Sequence, residues 1–128
     1  MVNLQILLAV ALGGALGSVA RYLVGIGSGR LFGLGFPWGT LIINIAGSFL
    51  IGVFAELFAL KWDLPQAGRV FLTVGICGGF TTFSTFSLDT YVLMERGEFW
   101  PAAAYILGSV VLSIGALVAG LHLIRAAA

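Results

Sequence analysis

Charged side chains are so sparse in this sequence that they leave stretches no water-soluble domain would contain. Runs without a single Asp, Glu, Lys or Arg cover positions 1–20, 31–55, 70–88 and 99–124 of the 128 residues. An apolar run of roughly 18 or more residues reads as a membrane span, because about 20 residues rising 1.5 Å each cross ~30 Å of hydrocarbon. The four runs predict an all-α membrane protein with helices at about 4–27, 39–60, 69–94 and 100–125. These fill one four-span membrane domain over 1–128 and leave no room for a soluble one. Composition agrees: 60% of residues are apolar, only 9% are charged, and the mean hydropathy is +1.13. A soluble domain carries about 25% charged residues. This pattern excludes a soluble enzyme, a nucleic-acid binder and a disordered tail. Cys77 is the only cysteine, which excludes a disulfide-stapled fold, and a net charge of +1 gives no reason to expect an acidic partner.

The breaks between runs are short. Gly27-Ser28-Gly29-Arg30 through Gly35-Phe36-Pro37 is Gly-rich and ends in a proline; Lys61-Trp62-Asp63-Leu64-Pro65 and Glu95-Arg96-Gly97-Glu98 are the other two. Pro101 suits the first turn of the last helix. Trp38, Trp62 and Trp100 fall at span ends, where amphipathic rings prefer the membrane interface. Ser18-Val19-Ala20 resembles a signal-peptide cleavage site, but no Lys or Arg precedes it and apolar character continues beyond Arg21, so the first helix reads as retained. Orientation is nearly unspecified. Lys61, Arg69 and Arg125 belong to one side; Arg30, Arg96 and, near the far end of the first helix, Arg21 belong to the other. If both orientations insert, two inverted copies can form an antiparallel homodimer, doing what an inverted repeat does in larger transporters. The plainer alternative is that Arg21 is buried and the other five sort weakly.

Polar residues recur inside the spans. Thr40, Asn44 and Ser48 lie four apart on the second helix, and Tyr105, Ser109 and Ser113 do the same on the fourth. Each stripe stays on one helix face. Such groups serve either as glue between helices or as the lining of a wet path; two aligned stripes favour a path. On the first helix, Gly13, Gly14, Gly17 and Ser18 provide small-xxx-small spacing for close packing. Arg21 either snorkels to the interface or attracts anions to a vestibule. Glu56 and Asp89 lie toward span ends.

The most informative segment is 75–87, GICGGFTTFSTFS. Three glycines precede seven residues that hold five hydroxyls and two phenylalanines. Glycine and threonine are poor helix formers, so the third helix is predicted to break in mid-membrane, where irregular backbone is tolerated only if buried in protein or lining a cavity. Half-helix ends offer carbonyls to a cation and N–H groups to an anion. Phe83 and Phe86, three apart, can share a face. Ring edges carry partial positive charge, so two of them aimed at a path favour an anion without a fixed cation. Ordinary packing of both rings is the alternative.

At these residues the chain resembles the small bacterial fluoride channels of the Fluc/CrcB family. The resemblance runs from Gly17-Ser18-Val19-Ala20-Arg21 through Gly39-Thr40-Leu41 and Asn44 to the fourth helix, and is most specific over residues 78–87, GGFTTFSTFS. It implies a fluoride-selective channel in the bacterial inner membrane that passively exports fluoride, built as an antiparallel dual-topology homodimer with two pores. Phe83 and Phe86 match the phenylalanines whose edges face fluoride, and Asn44 matches the pore-side amide. Thr40, Tyr105, Ser109 and Ser113 match hydroxyls along the path. Gly78 and Thr81 match positions whose backbone carbonyls, two from each subunit, hold a structural sodium ion, and Arg21 matches the family's first-helix arginine. Asp89 stands where an acidic residue is common.

Two rivals share the size and the charge balance. A four-span proton-coupled drug exporter needs a titratable carboxylate deep in a span, normally in the first helix, which has none. A structural subunit of a larger complex explains the glycines but not the hydroxyl–phenylalanine cluster. An enzyme is disfavoured: His122 is the single histidine and Cys77 has no histidine near it in sequence.

Overall fold

The structure, a computed structural model, describes residues 3–128. It is all-helical: α1 (Leu4–Phe32), α2 (Trp38–Leu60), a third span over Gln66–Glu95, and α6 (Phe99–Ala127). The third span is divided into α3 (Gln66–Val70), a π-helical segment (Phe71–Cys77), α4 (Gly78–Phe80) and α5 (Phe83–Glu95). No strand occurs among the described residues. All four spans are long and apolar enough to cross a membrane. The expected four-span architecture with a broken third helix is therefore what forms.

The first helix runs five residues beyond the expected end. Gly27-Ser28-Gly29 stays helical, and the helix stops at Gly33, whose φ of 77° is open to glycine and whose N–H closes on the Gly29 carbonyl. Small residues are kept in α1 because α2 lies against them: a Cβ on Gly39 would stand 3.4 Å from both the Gly25 Cα and the Ser28 Cβ. Close packing of this kind offsets the helix penalty of about 1 kcal/mol per glycine. The longer helix also sets Arg21 well inside the span rather than near its end.

Two glycine seams hold the bundle. Gly13 on α1 faces the π-helical segment so closely that a Cβ on Gly75 would stand 2.8 Å from the Gly13 Cα. Backbone cannot retreat from such a contact, so both positions require glycine. The second seam joins α2 to α6. Leu41 packs with Tyr105, Gly120 lies on the Phe49 carbonyl, and Glu56 meets Arg125. Partner numbers rise together along both helices, so the two run parallel. Glu56 is buried, and Arg125 offers its Oε2 both Nε at 3.0 Å and Nη2 at 2.8 Å.

The buried apolar core is small: Ile43, Cys77 and a cluster of Leu41, Leu93, Ala102 and Tyr105, against which Phe36, Ile45 and Phe86 pack. Large apolar side chains instead point outward on every span, Phe83 and Trp100 among the most exposed. That inversion suits a lipid surroundings, where outward leucine costs nothing.

Candidate functional site

The site is built around the interruption at Thr81-Thr82. Thr81 (φ −83°, ψ 158°) and Thr82 (φ −153°, ψ 122°) are both extended, so the helical ladder stops at Phe80 and restarts at Phe83. A stop inside a membrane frees backbone groups that water cannot satisfy, and nearly every partner here is a side chain the sequence supplies. The Thr82 hydroxyl caps α5 by accepting from the Thr85 N–H at 3.2 Å. The Asn44 amide grips the backbone of Thr82 from α2: its Oδ1 accepts from the Thr82 N–H at 2.9 Å and its Nδ2 donates to the Thr82 carbonyl at 3.1 Å. From α1, Arg21 Nε donates to the Gly79 carbonyl at 3.1 Å. In an unbroken helix the N–H groups of Thr82 and Thr85 would bond the carbonyls of Gly78 and Thr81. Both are diverted, to Asn44 Oδ1 and Thr82 Oγ1, so the Gly78 and Thr81 carbonyls lose their helical donors.

Beside the interruption lies a groove of about 450 Å³ between α2, the third span and α6. It brings together Asn44, Gly78, Thr81, Phe83, Phe86, Ser109 and Ser113, and adds Ser48 from the α2 stripe. No charged residue lines it. Phe83 is 76% exposed, and its ring centroid lies 5.4 Å from that of Phe86 at an interplanar angle of 51°. Phe86 in turn contacts Tyr105 at 5.1 Å. Four hydroxyls of the third span, those of Thr73, Thr81, Ser87 and Thr90, satisfy themselves on the carbonyl four residues back. Ser109 does not: its hydroxyl is buried, lines the groove and has no partner. An unpaired buried hydroxyl costs about 1–3 kcal/mol unless something in the groove bonds to it.

Thr40 and Arg21 lie elsewhere, on a larger cavity of about 780 Å³ between α1, α2 and α5. Three arginines, Arg21, Arg30 and Arg96, line it against a single acid, Asp89, so its field attracts anions. Thr82 lines both spaces and forms the wall they share. Tyr105 lines neither. It is fully buried, and its hydroxyl donates to Asp89 Oδ2 at 3.0 Å.

Sequence reading missed three of these contacts. The bond from Asp89 to Tyr105 was nonetheless within reach. Two antiparallel helices joined by a tight turn set residues equidistant from that turn side by side, and Asp89 and Tyr105 flank Gly97 symmetrically. The Asn44–Thr82 pair and the Glu56–Arg125 pair carry no such local signal, since each depends on how non-consecutive spans pack.

Relatives by sequence are many. A family model described as "CrcB-like protein, Camphor Resistance (CrcB)" matches residues 8–121. The protein named fluoride-specific ion channel FluC of Nitrobacter winogradskyi is 71% identical over 119 residues, covering 93% of this chain and 94% of the relative. Proteins of the same name from Agrobacterium fabrum and Rhodospirillum centenum are 55% and 53% identical, each covering 97% or more of both chains. With the family match reaching into all four spans and covering the interruption within the third, this multi-pass membrane protein belongs to the CrcB family.

Proposed function

We propose that the chain is a fluoride-selective channel that lets fluoride leave the cell passively. The observation that carries this reading is the uncharged groove: an amide, an unpartnered buried hydroxyl and two phenylalanines beside a broken helix, with no fixed cation. Fluoride is small and strongly hydrated, so dehydrating it takes several donors. Asn44 keeps one Nδ2–H beyond the one it gives Thr82, Ser109 and Ser113 add hydroxyls, and Phe83 and Phe86 add ring edges. Neutral donors hold an anion without trapping it, as conduction requires. Arg21, Arg30 and Arg96 draw anions into the larger cavity, where Thr40 offers a further hydroxyl, while Tyr105 orients Phe86 from behind. A negative interior expels an anion with about 2.3 kcal/mol per 100 mV, so no energy source is needed. The exporter alternative lacks a free carboxylate within a span: Glu56 is committed to Arg125 and Asp89 to Tyr105. In proteoliposomes the protein should release fluoride rapidly and chloride barely, without a proton gradient; equal rates for the two ions would refute the reading.

The same reading makes the working unit an antiparallel homodimer with two pores. The groove is open on the side where Phe83 is exposed, so a second copy is what would close it. With Arg21 engaged inside the bundle, Lys61, Arg69 and Arg125 face only Arg30 and Arg96 across the membrane, too small a bias to fix one orientation. The carbonyls of Gly78 and Thr81, stripped of helical donors, fit a hard cation such as sodium. Two oxygens from one chain are few for such an ion, and a second copy doubles them. Purified protein should run as a dimer that melts at lower temperature when sodium is replaced by N-methylglucamine. A monomer, or a dimer indifferent to the exchange, would overturn this part.

A further inference from the structure

The sequence leaves Arg21 two roles, a snorkelling side chain or a free charge that attracts anions. The geometry points to a third. We propose that Arg21 is a positioning residue that caps the broken third span. The C-terminal end of a helix presents carbonyls without donors and the negative pole of its dipole. Here that end lies at Phe80, part-way along the third span, where the chain leaves the helix. Gly79 contributes one such carbonyl, because the extended backbone at Thr81 and Thr82 carries the chain away from the helix before Phe83. Arg21 reaches that carbonyl from a neighbouring helix, part-buried, across 58 positions of sequence.

The seam beneath it makes the reach possible. A Cβ on Gly79 would stand 2.7 Å from the Gly14 carbonyl, so α1 and α4 touch backbone to backbone. Only then does a side chain on α1 meet a carbonyl on the neighbouring span. Arg21 and Asn44 thus hold the interruption from opposite sides, one on the carbonyl before it and the other on both backbone groups of Thr82. Between them lie Phe80 and Thr81, and Phe83 follows directly. Loss of the cap frees the end of α4 and with it the placement of the Thr81 carbonyl and the Phe83 ring.

The proposal separates the donor at Nε from the charge on the guanidinium. Glutamine carries its Nε2 the same number of bonds from the backbone as arginine carries Nε, so Arg21→Gln keeps a donor for Gly79 and removes the charge. Arg21→Met removes both. Flux tests one consequence, resting on the fluoride-channel reading. Arg21→Gln should retain most of the maximal fluoride flux and need more fluoride to reach half of it, because only the field of the cavity weakens. Arg21→Met should lose about tenfold in maximal flux, the size expected for one charge-assisted hydrogen bond.

A readout independent of transport tests the cap itself. Glycine precedes phenylalanine at only two places, Gly35-Phe36 and Gly79-Phe80. Full-length protein labelled with 13C-carbonyl glycine and 15N phenylalanine therefore gives two carbonyl–nitrogen correlations. The Gly35 carbonyl accepts from Arg96 Nη2 and serves as the internal reference, identified by the Arg96→Gln variant. In Arg21→Met the Gly79 correlation should move while that of Gly35 stays; in Arg21→Gln it should move much less. An unmoved Gly79 correlation in Arg21→Met, or equal losses of maximal flux in the two variants, would overturn the proposal. If Arg21→Met gives no folded protein, Arg21→Gln decides alone. A folded dimer with its Gly79 correlation near the wild-type position supports the cap, and failure to fold contradicts it. Loss of fluoride selectivity in the wild type would sink the channel reading and leave the correlations as they are.

Discussion

The α2 helix meets its neighbours in two different ways, and the contrast explains how a chain with so few polar groups supports a broken helix. Against α6 it presents a small-residue seam, Phe49 and Gly52 on Leu117 and Gly120, sealed by the single ion pair Glu56–Arg125. Backbone on both sides of that seam is helical and self-sufficient, so side chains need only be small. Against the third span it presents Asn44, which takes over the hydrogen bonds that the backbone of Thr82 cannot make for itself. One face economises on side chain, while the other uses a side chain as substitute backbone. The regular face is the scaffold; in the proposed channel, the irregular face is the one that would offer its donors to a dehydrated ion.

The largest effect should come from removing that substitute. Asn44→Ala strands the Thr82 N–H and carbonyl inside the membrane, at about 1–3 kcal/mol for each. The melting temperature of the purified protein should fall sharply and fluoride flux should vanish. A variant as stable as wild type would show that the interruption holds itself. The opposite result is expected at the α2–α6 seam. Glu56→Gln breaks an ion pair whose acid is buried but whose Arg125 is largely exposed, so the loss should be only about 1–2 kcal/mol. Fluoride flux per folded protein should stay within about twofold, because the pair lines neither the groove nor the larger cavity. A deep loss of flux without loss of stability would merge the two faces into one functional unit.

Much of this was legible in the sequence, for reasons that differ by region. The four spans follow from the uncharged runs, since lipid tolerates no other composition at that length. The interruption follows from glycines and threonines crowded into 75–85, where local propensity and membrane depth conflict. The end of α1 was misread because Gly27-Ser28-Gly29 looks like a loop in isolation; only the approach of Gly39 gives those small residues a reason to stay helical. The π-helical winding of Phe71–Cys77 has no sequence signature of its own, and the close approach of Gly13 to Gly75 falls within it. At the site, Asn44 and Ser48 of the α2 stripe share the groove with Ser109 and Ser113 of the α6 stripe, whereas Thr40 lines the larger cavity and Tyr105 is buried against Asp89. A stripe fixes a face, whereas the partner across it depends on how spans that are not consecutive pack.

The central claim is that the rings of Phe83 and Phe86 act on fluoride through their edges, in a groove without charge. Isoleucine keeps much of the apolar volume and removes the quadrupole, so Phe83→Ile and Phe86→Ile separate packing from electrostatics. The decisive measurement is fluoride efflux from proteoliposomes bearing each variant, after size-exclusion chromatography has verified a folded dimer. The account predicts that both variants assemble and that each loses at least about tenfold in flux, a barrier increase of ~1.4 kcal/mol. Near-native flux through both would contradict it.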